Sequence, residues 1–119
     1  MSEQGFLTTH ILDTARGVPA AGVAIELFRL GPDGRDMVGA AVTNSDGRTD
    51  TPLIAKGELT VGTYELVFHI GAYFKGHAPD SDHPFIDIVP VRFGIDDASS
   101  HYHVPLLASP FGYSTYRGS

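Results

Sequence analysis

Two Asp-Gly steps, Asp33-Gly34 and Asp46-Gly47, interrupt a chain in which apolar residues otherwise recur at every second position. Asp-Gly between alternating segments is the strongest short-range signal for a tight reversal between paired strands. Period-two alternation describes strands with one buried face, whereas helices need a period near 3.6. The chain must therefore bury its apolar side chains by packing sheet on sheet.

Taken in order, residues 5–13 form a first strand, with Phe6, Thr8, His10 and Leu12 on one face and Leu7, Thr9 and Ile11 on the other. Residues 13–19 are a turn cluster with Asp, Gly and Pro in turn-forming roles. Residues 21–30 form a second strand, Val23, Ile25 and Leu27 alternating with Ala24, Glu26 and Phe28; residues 31–36 turn, and residues 37–43 return as its partner. The turn at residues 44–50 carries Arg48 directly after its glycine. Residues 53–59 lack clean alternation and read as loop with a short strand.

Residues 60–70 form the clearest strand, with Tyr64, Leu66, Phe68 and Ile70 on one face and Glu65, Val67 and His69 on the other. Residues 71–76, bounded by glycine, hold one helical turn at most. A polar loop covers residues 77–84. Residues 85–95 alternate again but contain Pro90, which marks an edge strand or a bulge. After a turn at residues 96–100 comes a final pair of strands running to the last residue. Seven or eight short strands with turns at this spacing predict an all-β sandwich.

Composition narrows the function. At 119 residues the chain has room for one core, so residues 1–119 are read as a single domain. A net charge of −6 with no Lys/Arg stripe argues against a nucleic-acid partner. The longest uncharged apolar stretches are of strand length, far short of the ~20 residues of a membrane-spanning helix. The first residues lack a basic and an apolar signal region, so a cytoplasmic location is expected. Zero cysteines exclude disulfides and thiolate metal sites. No glycine-rich phosphate loop follows a strand, and no Gly-x-Ser-x-Gly elbow is present.

The chemistry-bearing residues lie at three places. His10 in mid-strand is either a histidine held by one hydrogen bond or an imidazole on the open face of a sheet, poised as a base. Arg48 is either a solvated turn residue or a fork of donors suited to imide and carboxylate oxygens. His101 and His103 share a strand face, a spacing that also suits zinc, but a third ligand is missing. The final Tyr116-Arg117-Gly118-Ser119 is too rich in functional groups for an ordinary tail and reads as part of a site or an interface.

These stretches together resemble a known family. Leu7-Thr8-Thr9-His10-Ile11-Leu12-Asp13-Thr14-Ala15-Arg16-Gly17-Val18-Pro19-Ala20, Thr43-Asn44-Ser45-Asp46-Gly47-Arg48, His101-Tyr102-His103-Val104-Pro105-Leu106-Leu107 and the closing Tyr116-Arg117-Gly118-Ser119 occur in the order found in the 5-hydroxyisourate hydrolases, transthyretin-like enzymes of urate breakdown. The terminal tetrapeptide is the enzymes' signature, which transthyretin itself lacks. The resemblance implies a transthyretin-like two-sheet β-sandwich with one short helix near residues 72–75. It implies a homotetramer, a dimer of dimers, with active sites at the dimer–dimer interface. It implies His10, Arg48 and His103 as the catalytic set, with His10, Arg48, Tyr116 and Ser119 binding a small-molecule substrate. No cofactor and no metal are implied. The implied reaction is hydrolysis of the cyclic amide of 5-hydroxyisourate to 2-oxo-4-hydroxy-4-carboxy-5-ureidoimidazoline, with His103 or His10 as the base. The alternative is a transthyretin-type small-molecule carrier without catalysis.

Overall fold

The computed structural model describes residues 4–77 and 82–118. Its elements are β1 (Phe6–Asp13), β2 (Val18–Pro19), β3 (Ala24–Gly31), β4 (Gly34–Val42), β5 (Gly62–His69), α1 (Ile70–Lys75), β6 (Ile88–Ile95), β7 (His101–Ser109) and β8 (Gly112–Thr115). They form two four-stranded sheets, ordered β2-β1-β7-β8 and β4-β3-β5-β6. This is the two-sheet sandwich with one short helix that the alternation and the resemblance lead one to expect.

The core lies between the sheets. One contributes Leu7 and Ile11 from β1 with Tyr102, Val104, Leu106 and Ala108 from β7; the other contributes Ile25 and Leu27 from β3 with Tyr64, Leu66 and Phe68 from β5. In β1 the alternation is complete: Leu7, Thr9, Ile11 and Asp13 are buried, while Phe6, Thr8, His10 and Leu12 are only partly so. Thr9 is tolerated inside because its hydroxyl donates to the Val104 carbonyl at 2.7 Å.

β1 and β7 run parallel, with Phe6 opposite His101 and Thr8 opposite His103. All the other strand pairs are antiparallel. On its other side, β1 bonds to β2 at Leu12 and Asp13, and to two connecting segments through Ile11 N–H to the Gly47 carbonyl (2.8 Å) and Leu7 N–H to the Ile54 carbonyl (3.0 Å). The β1 edge is thus covered by the very loop that carries Arg48.

Several details depart from expectation. The first hairpin closes on the pair Gly31 and Gly34, so its two loop residues are Pro32-Asp33 rather than Asp33-Gly34. The helix starts at Ile70, which the alternation assigns to a strand, and spans Ile70–Lys75. That is more than the single turn expected, at about 3.6 residues per turn. Ile70, Tyr73 and Phe74 are buried, the i, i+3, i+4 spacing that presents one helix face. β8 ends at Thr115, so the last strand stops short of the final residues. Residues 53–59 form no named strand, and Ile54 makes an isolated bridge to Leu7. Pro90 lies in β6, which pairs only with β5 and is an edge strand.

Asp13 anchors the end of β1. Its carboxylate is fully buried and accepts from the Ala15 N–H (3.0 Å), the Arg16 N–H (3.1 Å) and the Tyr73 hydroxyl (2.8 Å). The turn after β1 and the helix are thereby tied to one side chain.

Candidate active site

The parallel register brings together residues far apart in the chain. Thr8 Oγ1 lies 2.7 Å from His101 Nε2 and 2.8 Å from His103 Nδ1, spanning 93 and 95 residues of sequence. The His101 ring stacks on Phe6 at 3.9 Å with a 6° angle between planes, which holds it beside the strand. His103 is half-buried and His101 exposed.

Arg48 reaches the same place from its turn. Asn44 shapes that turn: its side-chain oxygen accepts from the Asp46 N–H at 2.9 Å and the Arg48 N–H at 3.2 Å. Its own N–H donates to the Arg48 carbonyl at 2.8 Å. Gly47, buried at φ +72°, sits against Ile11, and Arg48 then pairs across an isolated bridge with His10. An L-residue at Gly47 is strained twice, by its φ and by lack of space. The result is a cleft of about 350 Å³ lined by Thr8, Arg48, Asp50, His101 and His103 among others.

Of the predicted trio, Arg48 and His103 line this cleft; His10 does not, but it bridges Arg48 through the backbone and lies near enough to His103 for their charges to interact. Tyr116 does not join them within one chain; it is 60% exposed and borders a second cleft of about 340 Å³ with Tyr102, Val104 and Arg117. Ser119 lies outside the described residues, as does much of the loop at residues 77–84. Among the described residues, no group of three or more His, Asp or Glu is placed to hold a metal ion.

Two contributors escaped the sequence reading. Thr8 holds both imidazoles; the signal was its place on the His10 face of the first strand. Gly118 donates its N–H to the His103 carbonyl at 2.7 Å, and a Cβ there would fall 2.5 Å from the imidazole Cδ2. Only glycine lets the closing segment lie against that ring.

The electrostatics favour neutral imidazoles. Burial lowers the His103 pKa below its ordinary 6.5, and the charges of Arg48, His101 and His10 add to the effect. His10 is lowered likewise, first by burial and then by Arg48, with Asp46 acting the other way. Both rings are thereby biased toward the neutral form, the charge state a general base requires. The sign for stability follows. Above pH 6.5 these histidines are neutral in folded and unfolded chains alike, so their contribution is at its maximum. Below that value the unfolded chain takes up protons that the folded one resists, and stability falls until the lowered pKa values are passed. Ring titration by NMR is expected to give midpoints below 6.5 for both histidines; a midpoint above 6.5 for either contradicts this electrostatic account.

Comparison with known proteins fits this geometry. Residues 7–118 match the model of the HIUase/Transthyretin family. The chain belongs to that family. A 5-hydroxyisourate hydrolase of Deinococcus radiodurans is 60% identical over 119 residues, covering all of both chains. Among solved structures, that of Klebsiella pneumoniae 5-hydroxyisourate hydrolase superposes with a TM-score of 0.79 at 38% identity, over 96% of this chain and 99% of that one. The structure of (S)-allantoin synthase gives a TM-score of 0.91 at 51% identity over 99% of this chain. The present chain spans only 45% of that synthase's length. The family match covers β1 from Leu7 onward, the Arg48 turn, β7 and Gly118, so every residue lining the histidine-arginine cleft lies inside it.

Proposed function

We infer that this chain is a 5-hydroxyisourate hydrolase, opening the six-membered ring to 2-oxo-4-hydroxy-4-carboxy-5-ureidoimidazoline. The observation that carries the reading is the convergence of His103 and Arg48, from distant stretches of sequence, in one polar cleft, with His10 bridged to Arg48 behind it. The full-length identity to the Deinococcus radiodurans hydrolase supports the same substrate.

In the proposed mechanism, water attacks a ring carbonyl carbon while a neutral imidazole takes its proton. His103 is assigned this role, since its Nδ1 is engaged by Thr8 and its Nε2 is left as the base. The adjacent C–N bond then breaks, and the leaving ring nitrogen is protonated by a histidine. His103, protonated by the attacking water, returns that proton, and His10 orients the water. Arg48 donates to the oxygen on which negative charge develops, a stabilisation that grows between ground state and transition state. Tyr116 and Ser119 complete the substrate-binding set. Because Tyr116 stands apart from the histidines within one chain, its role requires a neighbouring subunit; a homotetramer built as a dimer of dimers, with sites at the dimer–dimer interface, meets that need. A cytoplasmic location goes with this reading.

A carrier of apolar aromatic ligands fits the cleft less well. Arg48 and two histidines would be left desolvated against a ligand that satisfies none of them.

The test is direct. Urate oxidised in the cuvette gives a transient absorbance from 5-hydroxyisourate. Adding this protein is expected to collapse that transient faster than the spontaneous decay, with an acid limb below pH 6.5. An unchanged decay, together with tight binding of an iodinated aromatic ligand, would establish the carrier instead.

A further inference from the structure

Thr8 is placed between two imidazoles, 2.7 Å from His101 Nε2 and 2.8 Å from His103 Nδ1. A hydroxyl has one proton and two lone pairs. Between two neutral rings it donates to one and accepts from the other, so the two tautomers are coupled. In one arrangement His103 donates Nδ1–H to Thr8, Thr8 donates to His101 Nε2, and His103 Nε2 carries the free lone pair. In the reverse arrangement His103 Nε2 holds the proton and cannot act as a base.

The two rings sit in unequal surroundings. His103 is half-buried and faces Arg48, His10 and His101, all of which oppose a positive charge on it. His101 is exposed and lies flat on Phe6. A charge formed on His103 is better held one hydroxyl away, on the ring that water reaches.

We propose that Thr8 is a positioning residue that fixes His103 as its Nδ1–H tautomer and, with His101, forms a relay for the proton taken from the attacking water. The relay and the choice of tautomer rest on the hydrolytic reading above; the coupling of the two rings through Thr8 does not. Each transfer balances. Water gives a proton to His103 Nε2 as its oxygen bonds to the carbonyl carbon. His103 Nδ1 passes its proton to Thr8 Oγ1, and the proton already on Oγ1 moves to His101 Nε2. His103 is then neutral with its proton on Nε2, ready for the leaving ring nitrogen. As that proton departs, His101 returns one through Thr8 to His103 Nδ1, and the starting state is restored. His101 acquires in this way a role that its exposure alone does not suggest.

The experiment pairs structure with kinetics. Long-range nitrogen–proton NMR of the labelled protein is expected to show His103 as the Nδ1–H tautomer, switching to Nε2–H in Thr8→Val. The same variant should lose about 10- to 100-fold in kcat with KM little changed, and Thr8→Ser should restore both tautomer and rate. His101→Ala should also lose kcat, and added imidazole should recover part of it. A tautomer identical in the parent and Thr8→Val overturns the positioning role, and a Thr8→Val enzyme with undiminished kcat overturns the proposal as a whole. Undiminished kcat in His101→Ala overturns the relay. If the parent protein fails to hydrolyse 5-hydroxyisourate while the tautomer still switches, the reaction assignment falls and the positioning role stands.

Discussion

His103→Ala is expected to lower kcat for 5-hydroxyisourate by about 10²- to 10⁴-fold, the range that a positioned general base supplies. The loss should fall on kcat more than on KM, because removing the proton acceptor weakens only the transition state. Arg48→Ala is expected to raise KM as well, since in the proposed mechanism the same guanidinium meets substrate oxygens before and during the reaction. Neither change should unfold the protein: the His103 ring is only half-buried, and Arg48 is exposed. Steady-state kinetics beside a thermal melt separates these outcomes. Full activity in His10→Ala, Arg48→Ala and His103→Ala together would refute the mechanism while leaving the fold intact.

Gly47→Ala is expected to bring a large loss of stability next to the site. Gly47 has φ +72°, and a Cβ there would stand 2.4 Å from the Ile11 carbonyl oxygen and 3.2 Å from the Ala20 nitrogen. That oxygen belongs to a buried strand and already accepts from the Ala20 N–H at 2.9 Å, so it cannot withdraw. Strain from the left-handed backbone and overpacking against β1 together amount to about 3 kcal/mol. Gly17→Ala provides the control, because Gly17 has nearly the same φ, +71°, with nothing within 4 Å of its added Cβ. It bears the backbone strain alone, about 1 kcal/mol. Urea unfolding of both variants measures the difference. Gly47→Ala should lose catalytic rate too, since Arg48 is the next residue. Equal stabilities for the two variants would show that the turn yields instead of the strand.

Much of the sandwich was legible because alternation states which residues share a face. Tyr64, Leu66 and Phe68 are buried as their spacing requires, and Pro90 announced an edge. The helix was less visible: alternation runs through Ile70, and only Tyr73 and Phe74 remain to signal a new period. The hairpin at Asp33-Gly34 was found as a turn but offset by one residue, since glycine also serves as the closing pair. In the site, the common face of His101 and His103 and its counterpart on β1 were readable. Their pairing was not, because the choice of strand partner depends on long-range packing that no local pattern encodes. Without that pairing Thr8 is an ordinary strand threonine. Gly118 belongs to the same class, for its value lies in the imidazole of His103 against it.

The parallel seam between β1 and β7 also governs when the histidine cleft is assembled. The two strands meet across more than ninety residues, and every histidine contact through Thr8 crosses that span. Thr8 and His10 are therefore made more than ninety residues before His103, and Arg48 roughly half the chain before it. Folding dominated by such distant pairings is slow, because the loop entropy must be overcome before the contacts form. The histidine cleft consequently reports on that seam: until β7 lies against β1, Thr8 has neither imidazole beside it.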